Sequence, residues 1–159
     1  MAELNTEGLE ELSAAFMRHE AQADQAVEEM VKATADIYVE EQKAAAASYG
    51  IRKTGGFIDS IQAGNVGKED TAVYIDVYPQ GRADHGADYG GGYSNKGNKR
   101  KGKAQGGKVR YATIGYIYEY GTSTLPARPW LSQANAKAES KGYAKAQEIW
   151  SKYVDSTIK

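Results

Sequence analysis

The sequence feature that most constrains the fold is the segment from Thr6 to Tyr49, which contains no proline and is rich in Ala, Glu, Gln and Met. These residue types favour helix, and Thr6 and Glu10 lie where a helix start is expected. Apolar positions recur close to the helical period of 3.6 residues, with Thr34 as a polar interruption. They are Leu9, Leu12, Phe16, Ala23, Val27, Met30, Val31, Ile37, Tyr38 and Ala45. The pattern predicts an amphipathic helical segment over residues 1–49.

This segment is longer than a typical globular helix, so two arrangements are open. The helix either breaks or bends near His19, or it projects as one long helix; we expect the break. Gly50, Gly55 and Gly56 follow the segment and predict a change of chain direction. Phe57 to Ile61 then forms a short apolar turn or the beginning of a strand.

Two later segments alternate between two kinds of side chain, as strands do. In the segment 71–78, one face carries Val73, Ile75 and Val77 and the other carries Tyr74, Asp76 and Tyr78. In the segment 108–120, alternation groups Ala112, Ile114, Tyr116, Tyr118 and Tyr120, although Ile114, Ile117 and Tyr118 would also suit a short helix. We predict a strand in each segment.

The last predicted element is a C-terminal amphipathic helix over residues 129–155. Pro129 suits the first turn of a helix, and Gly142 weakens its middle. The apolar positions are Leu131, Ala134, Ala138, Ala146, Ile149, Trp150 and Tyr153. The 159 residues fit a single domain. The predicted fold class is α+β, with a helical segment at 1–49, a small antiparallel sheet from 50–78 and 108–120, and the C-terminal helix.

The two predicted strands are separated by an extended insertion at residues 79–107, which forms a long Gly-rich basic hairpin loop. It holds nine of the eighteen glycines and almost no aliphatic side chains. Burial within one chain cannot offset the conformational entropy of ordering such a segment, so it should not fold by itself. We expect neighbouring subunits or a nucleic acid to order it.

The net charge of −1 conceals two oppositely charged segments. Residues 1–48 carry eleven acidic and three basic side chains, a net charge of −8. Residues 79–110 carry eight basic and two acidic side chains, a net charge of +6. The basic tract around Lys96–Lys103 has three open interpretations. It is a solvated loop, it binds nucleic acid with Tyr89 and Tyr93 stacking on bases, or it meets the acidic helix of an adjacent subunit.

The sequence excludes several chemistries, and we expect no enzyme and no cofactor. There is no cysteine, so no disulfide, thiolate metal site or cysteine nucleophile can form. Gly92 and Gly97 have the spacing of a phosphate-binding loop, but Asn98 stands where that motif needs lysine. Asp84, His85 and Asp88 are the one cluster with metal-ligand chemistry, and a solvated loop is the better interpretation of it. No serine has a credible His and Asp pair.

No apolar run approaches the roughly 20 residues that a membrane span needs. The first residues, MAELNTEGLEEL, are acidic, whereas a secretory signal begins with basic residues followed by an apolar stretch. We therefore expect a chain that is made in the cytoplasm and that has no membrane partner.

The most specific signal is the stretch YATIGYIYEYGTSTLPARPWL, residues 111–131. It resembles the neck or tail-completion proteins of long-tailed bacteriophages, also described as head-tail joining or tail terminator-like proteins. The matching residues are Tyr111, Ala112, Glu119, Tyr120, Gly121, Thr122, Pro129, Trp130 and Leu131. Upstream, Lys53, Thr54, Gly55, Phe57, Ser60 and Ile61 match the family's "TG, apolar, SI" turn, and Gly8 to Leu12 also fits. The insertion at 79–107 has no counterpart in the family pattern.

The resemblance implies a structural virion protein that forms a homo-oligomeric ring, hexameric by analogy, at the neck of the phage. Its partners would be head-closure or connector proteins on one side and tail tube or terminator proteins on the other, with DNA passing through the channel. The alternative is a free-standing nucleic-acid-binding protein that uses the basic loop. In either case the candidate contact residues are Arg82, Lys96, Lys99, Arg100, Lys101 and Lys103. We favour a role between subunits slightly, because the acidic helical segment supplies a complementary partner.

Overall fold

The computed structural model describes residues 7–51, 55–70, 72–83 and 109–157, with side chains of the first helix from Ser13 onward. Its helices are α1 (Glu7–Ser48), α2 (Gly56–Asp59), α3 (Tyr111–Tyr120) and α4 (Trp130–Thr157). Its strands are β1 (Ile61–Ala63), β2 (Gly67–Glu69), β3 (Ala72–Tyr74), β4 (Val77–Pro79), β5 (Arg82–Ala83) and β6 (Val109–Arg110). The predicted α+β class, with a long N-terminal helix and a C-terminal helix, is confirmed.

Helix α1 is one continuous helix, so the predicted break near His19 is wrong. Between Gly8 and Gly50 the sequence has neither glycine nor proline, so nothing in the backbone favours a kink. Helix α4 also runs antiparallel beside the expected break. The Tyr153 hydroxyl donates to the His19 carbonyl oxygen at 3.2 Å, and the Gln42 amide donates to the Asn135 side chain at 3.1 Å.

Small residues let α1 and α4 approach closely. Gly142 is buried, and a Cβ added there would lie 2.9 Å from Thr34 Cγ2, closer than real Cβ contacts allow. The Thr34 hydroxyl donates to the Gly142 carbonyl oxygen at 3.4 Å. Alanines fill the rest of the seam, with Ala26, Ala35, Ala134 and Ala138 buried. Thr34 interrupts the apolar pattern of α1, and Gly142 weakens the middle of α4. These two residues are in direct contact with each other.

The sheet is divided into three two-stranded antiparallel ladders, β1–β4, β2–β3 and β5–β6, where one continuous sheet was expected. The predicted strand at 71–78 is correct in its alternation, because its three aliphatic side chains are half-buried and its Tyr74, Asp76 and Tyr78 are exposed. The segment 71–78 is split into β3 and β4 because the stretch that pairs with it is itself interrupted between β1 and β2. At that break the Gly64 amide donates to the Asp76 carbonyl oxygen at 2.8 Å.

The predicted strand at 108–120 is wrong, because only β6 is extended and residues Tyr111–Tyr120 form helix α3. Its buried positions, Ile114, Gly115 and Glu119, follow the helical period. Alternating apolar and tyrosine residues made the segment ambiguous, and the three-dimensional environment selects the helix. Strands β5 and β6 pair Arg82 with Arg110, so the two ends of the basic segment lie side by side.

The hydrophobic core lies at one end of the molecule, where the C-terminal part of α1 meets α2, α3, β1 and the first turns of α4. Trp130, Ile61 and Ile114 are its largest fully buried side chains. Phe57 packs edge-to-face on Trp130, with ring centroids 5.3 Å apart. The remaining core residues are Ala45, Ala46, Ile51, Ala83 and Ala134. The rest of the α1–α4 pair extends away from this core as two antiparallel helices. We call this part of the molecule the helical hairpin, although α1 and α4 are not consecutive in the chain.

Candidate assembly site

The motif singled out in residues 111–131 forms the junction between α3 and α4. Tyr111 and Ala112 begin α3, and Glu119 and Tyr120 end it. Gly121 and Thr122 lie in the turn that follows, Pro129 directly precedes α4, and Trp130 and Leu131 are its first two residues. Ala112 is exposed, whereas Glu119 and Trp130 are among the most buried side chains of the described residues.

Glu119 caps the beginning of α4 with a buried carboxylate. Its Oε2 accepts the Leu131 amide at 2.7 Å, and its Oε1 accepts the Ser132 amide at 3.1 Å and the Ser132 hydroxyl. The first amides of a helix have no partner within the helix and carry the positive end of its dipole. A carboxylate from the preceding helix therefore fixes the angle between α3 and α4.

Gly121 makes the tight turn after α3 possible. Its φ is 73°, and a Cβ there would lie 2.6 Å from the Leu125 carbonyl oxygen and 2.7 Å from the Ala127 nitrogen. The Thr122 amide donates to the Leu125 carbonyl oxygen at 2.8 Å, and the Thr122 hydroxyl oxygen accepts the Leu125 amide at 3.0 Å. No residue with a side chain fits at Gly121 without moving this turn.

Trp130 locks the same junction to the core. Its indole Nε1 donates to the Gly115 carbonyl oxygen at 3.1 Å. A Cβ at Gly115 would come within 3.1 Å of the Trp130 ring and 3.3 Å of the Phe57 ring, so a side chain there would require these rings to shift. Arg128 ties the junction to α1, since its guanidinium donates to the Tyr49 carbonyl oxygen at 3.1 Å. The sequence pattern contained no signal for Gly115 or Arg128.

The ordered junction holds α3 so that its outer face is exposed. Tyr116 and Tyr120 lie one helical turn apart, with 65% and 67% of their surfaces exposed and ring centroids 4.7 Å apart. Aromatic residues on an exposed surface are common at protein interfaces.

The candidate contact residues of the basic segment fall into two groups. Arg82 is exposed in β5, directly opposite the exposed Arg110 of β6. Neither guanidinium has an ion-pair partner among the described residues. Like charges in direct cross-strand register repel each other. The other predicted residues, Lys96, Lys99, Arg100, Lys101 and Lys103, lie outside the described residues, as do Asp84, His85 and Asp88.

The acidic side chains of the helical hairpin are only partly neutralised. Hydrogen bonding and charge from Lys68, followed by Lys32, hold the pKa of Glu28 below its ordinary value. The Lys68 ammonium lies 2.6 Å from the Glu28 carboxylate, which ties β2 to α1. On α4, Lys152 and Lys145 lower the pKa of Glu148 to about 2. No basic partner within 4 Å is described for Glu29 or Glu40.

An apolar groove of about 330 Å³ lies beside the seam between α1 and α4. Its lining includes Met30, Val31, Tyr38, Ile75, Val77 and Gln42. Gln42 is 2% exposed, and its Oε1 has no hydrogen-bond partner among the described residues. An unpaired buried acceptor costs about 1–3 kcal/mol, so Gln42 Oε1 lowers the stability of this seam. The sequence patterns did not single out Gln42, because a polar residue between Glu41 and Lys43 resembles any solvated helix position.

Within the described parts of the chain, no group of three or more His, Asp or Glu side chains is placed to hold a metal ion. None of the helices described is both long enough and apolar enough to cross a lipid bilayer.

Comparison with protein families gives one match, to the HK97-gp10-like family, described as "Bacteriophage HK97-gp10, putative tail-component". The match covers residues 10–115, from the first turn of α1 through the first half of α3. The junction at Glu119–Leu131 lies outside it. No curated protein and no solved structure matches the chain. Since the match spans well over half of the sequence, the chain belongs to the HK97-gp10-like family of phage tail components.

Proposed function

We propose that the protein is a structural virion component that forms a closed homo-oligomeric ring at the phage neck, where it completes the tail and joins it to the head connector. The observation that carries the proposal is the distribution of charge along an elongated subunit. The acidic N-terminal part of α1 lies at one end of the subunit. The paired strands β5 and β6 with Arg82 and Arg110, which we call the β5–β6 root, lie at the other end. Helix α1 has 42 residues, so about 60 Å separates its two ends.

Two complementary surfaces at opposite ends of one subunit favour head-to-tail contacts between copies. Such heterologous contacts produce rings when the rotation between subunits closes. Arg82 and Arg110 present positive charge at one end without an ion-pair partner among the described residues. The other end carries the greater part of the −8 charge of residues 1–48. Membership of a phage tail-component family supports a place in the virion, next to other virion proteins.

Electron microscopy of the purified protein and of virions that lack it tests the proposal. Closed rings of the purified chain are expected, together with mutant lysates that contain full heads separated from tails. Joined, infectious particles assembled without the protein would refute a role at the neck.

The β5–β6 root also supports a second candidate function, binding of nucleic acid through the basic segment. A free-standing DNA-binding protein would remain monomeric, and its affinity would fall steeply with salt because each phosphate contact releases counterions. Replacing Lys99, Arg100, Lys101 and Lys103 with serine separates contacts between subunits from contacts with DNA in the channel, with Lys137→Ser on exposed α4 as a control for the loss of one surface charge. Weaker ring assembly supports contacts between subunits. Unchanged rings with altered DNA ejection support contacts in the channel.

A further inference from the structure

We propose that the N-terminal arm of α1, from Glu7 to Arg18, docks into the apolar groove of the next subunit, so that the arm and the groove form the ring interface. This inference rests on the proposed ring and names the surfaces that would build it. The groove is the one beside the α1–α4 seam that contains Gln42.

The arm exposes two large apolar side chains. Phe16 is 65% exposed and Met17 is 68% exposed. Among the described hydrogen bonds between α4 and α1, the one from Tyr153 to His19 lies nearest the N-terminus of α1. Phe16 and Met17 precede it, and an adjacent exposed Phe and Met leave apolar surface uncovered.

The arm cannot reach the groove of its own subunit. Both belong to the same continuous helix, and Met17 and Thr34 are separated by about 25 Å along its axis. Only a second copy can bring the two surfaces together. Because the arm and the groove are different surfaces, the contact is heterologous and leaves each copy with one free arm and one free groove.

The groove is suited to such an occupant. Its aliphatic and aromatic lining is only half-buried, and it takes an apolar helix face as helix-in-groove interfaces do. The arm supplies such a face with the adjacent exposed Phe16 and Met17.

Charge fixes the direction of the arm. From Phe16 to the acidic Glu7 the helix advances about 13 Å. From Val77 in the groove to Arg82 the chain spans at most about 17 Å. An arm with Phe16 near Val77 and its N-terminal end toward β5 would thus bring the acidic first turns of α1 to Arg82 and Arg110. Opposite charges meet in this direction, whereas the reverse direction would place acidic turns beside the acidic hairpin.

Two variants, each defective in one surface, test the proposal by sedimentation. Phe16→Ser with Met17→Ser removes the apolar arm contact and leaves the groove intact. Val31→Glu places a charge in the groove and leaves the arm intact. We expect the dissociation constant for self-association to rise at least tenfold in each. Mixing the two should give a heterodimer that grows no further, because one functional arm and one functional groove remain between them. Tyr143→Ser, at an equally exposed position of α4, should assemble like the wild type.

The remaining outcomes separate this inference from the proposed function. If the wild type assembles and both variants assemble as well, the arm-groove interface is overturned, whereas the proposed ring is not. Monomeric variants that fail to complement each other would also overturn it, because they would indicate a symmetric contact. A wild-type chain that stays monomeric at all concentrations would refute both the ring and its interface. Unchanged circular dichroism and thermal unfolding of each variant establish that the fold is intact.

Discussion

The two ends of the molecule are stabilised by different means. At the core end, Trp130, Phe57 and Ile114 interlock, and the buried Glu119 carboxylate fixes the start of α4. Along the hairpin, α1 and α4 are held by a seam of alanines, by Gly142 and by the surface ion pair between Lys141 and Glu41. The core end buries Trp130, Ile61 and Ile114 completely, whereas the hairpin leaves Met30, Val31 and Tyr38 half-exposed.

Because of this difference, the core end mainly determines folding, and the helical hairpin mainly provides surface for assembly. A tightly packed junction determines the geometry of the chain, and its interior side chains are not available to partners. A thin hairpin of small residues buries less, and its larger apolar side chains stay available for another chain. We therefore expect substitutions at the core end to reduce stability and substitutions on the hairpin to affect assembly more than folding.

The two tryptophans provide the sharpest test of this comparison, because one lies at each end. Trp130→Ala should reduce the free energy of unfolding by about 3–5 kcal/mol, since a fully buried ring is lost and a cavity remains. Trp150→Ala should reduce it by about 1 kcal/mol, because Trp150 is 41% exposed and its ring lies 5.2 Å from the tilted ring of Tyr153. Urea unfolding measures both. Equal losses would contradict the division between the two ends.

Glu119→Gln should be the next largest change. The substitution keeps the size of the side chain but replaces a carboxylate that accepts two backbone amides with a neutral amide. We expect a loss of roughly 2 kcal/mol, since hydrogen bonds to charged groups contribute about 1.5–3 kcal/mol. Glu139→Gln, at an exposed site of the same helix, is the control and should change stability by less than about 0.5 kcal/mol. A neutral effect at Glu119 would mean that the cap contributes no stability.

Gly142→Ala sharpens the comparison on the hairpin side. Alanine normally stabilises a helix relative to glycine by up to about 1 kcal/mol, but here its Cβ would collide with Thr34. We expect a net loss of about 1–2 kcal/mol from overpacking. Adding Thr34→Ala should recover part of that loss, and a double-mutant cycle measures the coupling. Additive effects would show that the two residues do not share one tight contact.

The smallest effect concerns pH and the exposed pairs of the hairpin. The pKa of Glu148 is lowered from 4.5 to about 2, so the folded state binds its proton less readily than the unfolded chain does. Its contribution to stability is fully present above about pH 4.5 and is lost as the pH falls toward 2. NMR titration of the carboxyl group should find this low pKa in the wild type. The stability difference from Glu148→Gln should shrink at low pH and in high salt; a difference independent of both would contradict the ion-pair origin.

The sequence was sufficient where a periodic pattern continued over many residues. Both long helices were predicted, and the alternation of Val73, Ile75 and Val77 was correct. The prediction of a break near His19 was wrong because it rested on the length of the helical segment alone. The contact between Tyr153 and His19 stabilises the continuous helix. The segment at 111–120 failed because its helical face depends on what Gly115 and Glu119 contact in three dimensions.

The candidate site was predictable only in part, for a similar reason. The charge segregation and the order of residues around Glu119 are visible along the chain. The groove is not, since it combines Tyr38 of α1 with Ile75 and Val77 from a distant segment. Gln42 gains significance only when its side chain is known to be buried and its Oε1 to have no partner among the described residues.

The pairing of β5 with β6 also determines how freely the segment between them can change over evolution. Adjacent strands hold the two ends of this segment about 5 Å apart. The entropy of closing a loop grows only with the logarithm of its length, by about 0.6 kcal/mol for each doubling. Related phages could therefore lengthen, shorten or recode residues 84–108 without refolding the rest of the chain. The segment between β5 and β6 also offers a place to graft a fluorescent or affinity module onto an intact particle.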